Sequence, residues 1–139
     1  MPEISENKIV IPSQPALIRD IDEFVEAKLR EWGVADTLIA DIAICATEIV
    51  NNGIYHGNKE DPQKLVTLQL ESGEDEIKIT ITDEGDYFNP DEIANPIAEE
   101  NLLREVGRGI FIVRQLMDNV TIRQAEGGGT EVTFTKKIA

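Results

Sequence analysis

The chain has 139 residues, 41% of them hydrophobic and 29% charged, which suits one domain with a real core over residues 1–139 and argues against disorder. The formal net charge of −14 argues against a nucleic-acid surface, which would show clustered Lys and Arg, and would suit a partner with basic patches. No signal-peptide pattern and no apolar run near the ~20 residues of a membrane span is visible, so the expectation is a cytoplasmic protein with no membrane partner.

Residues Met1 to Asn7 read as a polar arm, and Lys8-Ile9-Val10-Ile11 as a strand stopped by Pro12. Ser13 offers a helix N-cap, and Pro15 sits where a first helical turn tolerates it. Leu17, Ile18, Ile21, Phe24, Val25, Leu29 and Trp32 then recur at helical spacing up to Gly33, a C-cap. Its outer face reads as solvated surface, with contact to a partner as the other possibility. A second helix is capped by Asp36 and ends near Gly57; Cys45, the one cysteine, falls inside its apolar pattern as a small buried hydrophobe.

After a polar loop from Asn58 to Gln63, Leu65–Leu70 and Ile77–Thr82 alternate with period two about an acidic turn at Ser72-Gly73-Glu74-Asp75, predicting a hairpin. Residues Asn89 to Val106 show no sustained period and read as a lid or binding loop. Gly107 and Gly109 open a third helix, Ile110 to Met117. Val120–Ile122 and Thr130–Phe134 form a last strand pair around Gly127-Gly128-Gly129. The fold class expected from this order is α+β: a two-layer sandwich whose mostly antiparallel, mixed sheet carries three helices on one face.

Glu48, Asn52 and His56 recur every four residues, so they form a polar row on one helix face. That row borders the apolar arc of Leu38, Ile42, Ala46 and Ile49, where a ligand fits between helix and solvent. Glu48 suits a general base or a salt-bridged surface acid. Asn52 offers a neutral oxygen to a hard cation such as Mg²⁺, or is a surface amide. His56 near the helix end is explained by the last carbonyls and the dipole. Asp83, followed by Gly85, either reads a base edge or leaves a strand for a turn. Gly107-Arg108-Gly109 suits backbone contact with phosphates, although two glycines alone say little. Neither a Walker A lysine motif nor a dinucleotide glycine fingerprint is present.

In order, Glu48-x-x-x-Asn52-x-x-x-His56, Asp83-x-Gly85, Gly107-x-Gly109 and Gly129-Thr130 resemble the ATP site of the Bergerat-fold superfamily of gyrase, heat-shock chaperone, histidine kinase and mismatch-repair ATPases. The phrases His56-Gly57-Asn58 and Gly107-Arg108-Gly109-Ile110-Phe111-Ile112 through Gln115-Leu116-Met117-Asp118 look most like the anti-sigma factor serine/threonine kinases. The resemblance implies ATP and Mg²⁺ as cofactors. It makes Glu48 the base toward a protein hydroxyl, Asn52 the Mg²⁺ ligand, and Asp83 the acceptor from the adenine amino group, with Gly85 permitting close approach. Gly107 and Gly109 would wrap the phosphates, Thr130 would border the adenine pocket, and Pro90 to Val106 would be the lid. Separately from the resemblance, phosphoryl transfer needs positive charge, and Arg104 and Arg108 are the basic residues beside the glycine pair: one of them contacts the phosphates when that lid closes, or Arg108 faces solvent. The implied partners are a STAS-domain anti-anti-sigma protein as substrate and a sigma factor or other regulator to sequester, with the kinase commonly a homodimer. The stretch Asp86-Tyr87-Phe88 departs from the family, many of whose members carry another glycine near Asp86 and an acid just after Phe88.

Two other readings compete with the kinase. A non-catalytic ATP-dependent sequestering module would not need a base at Glu48. The catalytic half of a histidine kinase would need a phosphorylatable histidine on a dimerisation helix pair, and the chain has only His56. Clamp-type ATPases need a transducer domain, for which 139 residues leave no room.

Overall fold

The computed structural model describes residues 2–92 and 100–138, the side chains of 100–103 apart. The strands are β1 (Glu3–Ser5), β2 (Lys8–Pro12), β3 (Leu65–Ser72), β4 (Glu76–Asp83), β5 (Asn119–Gln124) and β6 (Thr130–Lys137). Among the described residues they form one six-stranded sheet in the order β1-β2-β3-β4-β6-β5. Each described pairing is antiparallel, so the sheet is not mixed. Three helices, α1 (Ile18–Glu31), α2 (Asp36–Asn52) and α3 (Glu100–Leu116), pack on one face, as the α+β reading required.

Alternation sets the inner face of the sheet. Val66, Leu68 and Leu70 of β3 and Ile77, Ile79 and Ile81 of β4 are buried, while Lys78 between them is exposed. Against them lie Ile21, Phe24, Val25 and Leu29 of α1 and Ile42, Ala46, Ile49 and Val50 of α2. Each fully buried Ile, Leu or Val contributes roughly 1.5–3 kcal/mol, so this shared face holds the two layers together. Cys45 is buried within it, and that burial pushes its thiol pKa up to about 12. It is an inert core residue. Residues 36–57 are long and apolar enough, by length and composition, to cross a membrane. Here they pack between α1 and α3 and carry Glu48, Asn51 and Asn52, which marks a core helix.

Several local expectations are corrected. The N-terminal arm contains β1, which pairs Ile4 with Ile9; a strand of three residues gives too little alternation to read. Pro12 closes β2 from within. Ser13 is buried and caps nothing: its hydroxyl donates to the Lys64 carbonyl at 2.7 Å and accepts from Asn58. Pro15 opens a 3-10 turn, Pro15–Leu17, that runs into α1. Asp36 is the first residue of α2 rather than its cap, which is Ala35; its charge there still complements the helix dipole. Gly33 follows α1 at φ +76°, and its N–H meets the Arg30 carbonyl, the left-handed stop that glycine allows.

The largest correction concerns α3. It is helical from Glu100 and passes through both Gly107 and Gly109. Buried Val106, Ile110, Val113 and Met117 recur at steps of four, three and four, and this stripe carries the helix through two residues that weaken it. The expected lid is therefore divided. Pro90–Glu92 is a 3-10 turn, 93–99 lie outside the described residues, and the remainder belongs to α3.

Candidate functional site

Sheet register positions the centre of the site. Asp83 ends β4, Thr130 begins β6, and the neighbouring pair Thr82↔Glu131 brings the two ends together. The Asp83 side chain is only 8% exposed. Its Oδ1 accepts from the backbone N–H groups of Gly85 (3.1 Å) and Thr130 (3.2 Å), while Oδ2 takes part in no described hydrogen bond. Burial raises the Asp83 pKa above its ordinary 3.8, and those two donors work against the shift. Thr130 also ties down the chain that follows, because its hydroxyl accepts from the Phe88 N–H at 3.0 Å.

Glycines let this turn fold so tightly. A Cβ on Gly85 would lie 1.6 Å from the Gly57 carbonyl oxygen, and one on Gly129 would lie 2.1 Å from the Asp83 carbonyl oxygen. Gly85 thus admits the neighbouring backbone, a role the sequence did not suggest. Gly57 closes a π-helical turn, Gly53–Gly57, that continues α2. The wider turn is marked by the Asn58 N–H donating to the Gly53 carbonyl at 2.8 Å.

Between this turn, the sheet and α3 lies a largely apolar pocket of about 440 Å³, counted to its open mouth. Asp83 and Thr130 line it beside Ile81, Phe88, Val106 and Ile110. Asn52 and His56 also line it, and they equally line a second, polar cleft of about 770 Å³ with its mouth. Glu48, Asn51, Tyr55, Glu105 and Arg108 complete that cleft. Glu48, Asn52, His56 and Arg108 are therefore brought together, with Asp83 and Thr130 across the shared wall.

Gly109 lets α3 approach the polar row: a Cβ there would stand 3.0 Å from Asn52 Nδ2 and 3.6 Å from Glu48 Oε2. Gly107, by contrast, has nothing within 4 Å of such a Cβ. Both sit inside α3, so their N–H groups are not presented at a helix start as the sequence suggested. Among the described residues no group of three or more His, Cys, Asp or Glu could hold a metal. The side-chain oxygen of Asn52 could serve a hard ion such as Mg²⁺.

Two features escaped sequence reading. His56 Nε2 meets Glu105 Oε2 at 2.8 Å, linking the π turn to α3. Asn58 is 1% exposed; its Nδ2 donates to Ser13 Oγ (2.7 Å) and the Leu65 carbonyl (3.0 Å), and its Oδ1 accepts from the Glu84 N–H (2.9 Å). An Asn after His-Gly reads as an ordinary turn residue. Only its partners, distant in sequence, reveal it as the knot behind Asp83.

Comparison with known proteins agrees with this geometry. The family profile described as the histidine kinase-like ATPase domain matches residues 11–136. A serine-protein kinase RsbW of Staphylococcus aureus is 36% identical over 107 residues, covering 72% of this chain and 66% of the relative, a little under two thirds of its length. The structure of the SiaB–SiaC complex from Pseudomonas aeruginosa matches with a TM-score of 0.66 at 14% identity, over 94% of this chain and 88% of that one. A structure of RsbU and RsbW domains from Mycobacterium tuberculosis gives 0.66 at 18% identity, over 98% of this chain and 34% of that one. Both structural likenesses speak for the fold alone. The chain belongs to the histidine kinase-like ATPase domain family, and its likeness there is to the RsbW serine-protein kinases that its motifs resembled.

Proposed function

We propose that this chain is an ATP- and Mg²⁺-dependent serine/threonine protein kinase of a cytoplasmic partner-switching system. It phosphorylates a STAS-domain anti-anti-sigma protein and, commonly as a homodimer, holds a sigma factor or another regulator. The observation that carries the reading is the pair of abutting pockets. One is apolar with a carboxylate at its end, and it opens across Asn52 and His56 into a polar cleft that contains Glu48.

In this reading the apolar pocket takes adenine, and Asp83 Oδ2 accepts from the exocyclic amino group. Thr130 keeps the Asp83 carboxylate oriented through its backbone N–H. Asn52 would hold the Mg²⁺ that comes with the triphosphate, and the ion would supply charge neutralisation at the phosphoryl oxygens. Glu48 receives the proton of the acceptor hydroxyl on its carboxylate as that oxygen attacks. Gly107 and Gly109 wrap the phosphates once the first turns of α3 unwind and free their N–H groups, so the nucleotide-bound helix starts near Ile110. Arg108, exposed on α3 at the polar cleft, then reaches the phosphates.

Transfer of the labelled γ-phosphate from ATP to STAS proteins of the same genome tests the proposal, comparing wild type with Glu48→Gln. Transfer to serine or threonine that is lost in the variant, while ATP still binds, is the expected result. ATP binding with no transfer by wild type would instead mean a sequestering module.

A further inference from the structure

The pairing of His56 with Glu105 has no part in the proposed chemistry. His56, the one histidine of the chain, brings its Nε2 within 2.8 Å of Glu105 Oε2, where the ring N–H donates to the carboxylate. The contact joins two elements far apart in sequence, the π-helical turn Gly53–Gly57 and α3. Such turns are rare and gather at functional sites. Both side chains line the polar cleft, with Glu48, Asn52 and Arg108.

Glu105 carries the wrong charge for that place. A nucleotide whose adenine sits in the apolar pocket runs its phosphates across Asn52 and His56 into the cleft, where a second carboxylate beside Glu48 repels them. The Glu105 side chain is 52% exposed and can turn away into solvent, whereas His56 is 24% exposed on the wall between the two pockets. The carboxylate thus stands on the imidazole in the way a phosphate oxygen would. Its own stretch of α3 is weak, because Gly107 and Gly109 follow within four residues and glycine disfavours a helix. A Cβ on Gly107 would meet nothing within 4 Å, so packing does not require that glycine. The tie to His56 helps to hold this stretch helical.

Resting on the reading of the two pockets as an ATP site, we infer that Glu105 is an internal competitor of the triphosphate, held on His56 until the nucleotide displaces it. In the nucleotide-free protein its carboxylate occupies the imidazole and keeps the glycine-bearing turns of α3 wound. On binding, Glu105 swings to solvent, the His56 N–H turns to a phosphate oxygen, and the N–H groups of Gly107 and Gly109 come free. One anion replaces another on His56, and the strength of the first contact sets back the affinity for the second. Glu105 therefore restrains ATP binding and takes no part in the transfer itself.

The test is calorimetric titration of Mg–ATP into the full chain as wild type, Glu105→Gln, Glu105→Ala and Glu74→Gln. Glu105→Gln removes the charge and keeps an oxygen that can accept from His56, while Glu105→Ala removes both. Glu74, exposed in the turn between β3 and β4, controls for the loss of one negative charge from a chain of net charge −14. Both Glu105 variants should bind Mg–ATP at least about threefold more tightly than wild type, the scale of a half-exposed ion pair, and Glu74→Gln should match wild type. A contact that only supported the fold would leave ATP binding unchanged or weaker, so either result in either Glu105 variant overturns the inference. Equal tightening by Glu74→Gln would assign the effect to net charge and overturn it too. No binding of Mg–ATP by any of the four proteins fails the nucleotide reading itself, and this inference with it.

Discussion

Replacing Gly85 by alanine tests whether the turn after β4 depends on backbone approaching backbone. The added Cβ would stand 1.6 Å from the Gly57 carbonyl oxygen, 2.1 Å from its carbonyl carbon and 2.8 Å from the Asn58 nitrogen. None of these atoms can rotate away, so the turn and the π-helical segment must separate. Separation breaks the bond from the Asp86 N–H to the Gly57 carbonyl, now 3.2 Å, and loosens the Gly85 N–H on Asp83 Oδ1. Overpacking costs about 1–3 kcal/mol and a lost hydrogen bond about 0.5–1.5 kcal/mol. The sum, about 1.5–4.5 kcal/mol, is a large part of the ~5–15 kcal/mol that holds a domain folded. At roughly 3–5 °C per kcal/mol for a domain of this size, the thermal midpoint should fall by about 5–22 °C. Urea melts read the effect directly, as a lower midpoint at unchanged slope. A variant within about 0.5 kcal/mol of wild type, the range of an inconsequential surface change, would refute the reasoning.

The other predictions use the same contacts. Gly107→Ala meets open space inside α3, so it should stabilise the nucleotide-free protein by about 0.5–1 kcal/mol and weaken ATP binding in calorimetry; tighter binding would contradict the unwinding of α3. Asn58→Ala strands the Glu84 N–H and unties Ser13, at a cost of about 2–4 kcal/mol by urea melt; a neutral result would mean water replaces the amide. If ATP binds as proposed, with ionised Asp83 as acceptor, affinity should be full above its raised pKa and fall as pH drops through it, earlier than an ordinary aspartate would give. The stability contribution of Asp83 has the opposite sign: greatest below the unfolded value of 3.8, it is lost as pH rises through the folded one. ATP affinity and the difference in melts between wild type and Asp83→Asn should therefore run in opposite directions across pH, and parallel curves would count against the assignment.

Periodicity carried much of the architecture. The α1 stripe from Ile21 to Leu29, the alternation in β3 and β4, and the polar row Glu48, Asn52, His56 were all legible because each repeats at its element's own period. What failed lacked a local signal. Ser13 and Asn58 bond each other across 45 positions, and nothing beside either residue announces it. At α3 two local rules conflicted, since the glycines argue for a loop and the Val106–Ile110–Val113–Met117 stripe for a helix; tertiary burial decided it. The contact of Gly85 with Gly57 was out of reach for the same reason, since no local pattern places the two together. The pocket residues were legible from motif order, but the pairing of His56 with Glu105 was not.

The most direct test of the account is calorimetric titration of Mg–ATP and Mg–GTP into wild type and Asp83→Asn. A buried carboxylate that accepts from the adenine amino group meets another acceptor, the guanine carbonyl, when GTP is offered. Wild type should bind ATP at least tenfold more tightly than GTP, and Asp83→Asn should lose that preference. Equal affinity for the two nucleotides in wild type, or no binding of either, would contradict the site.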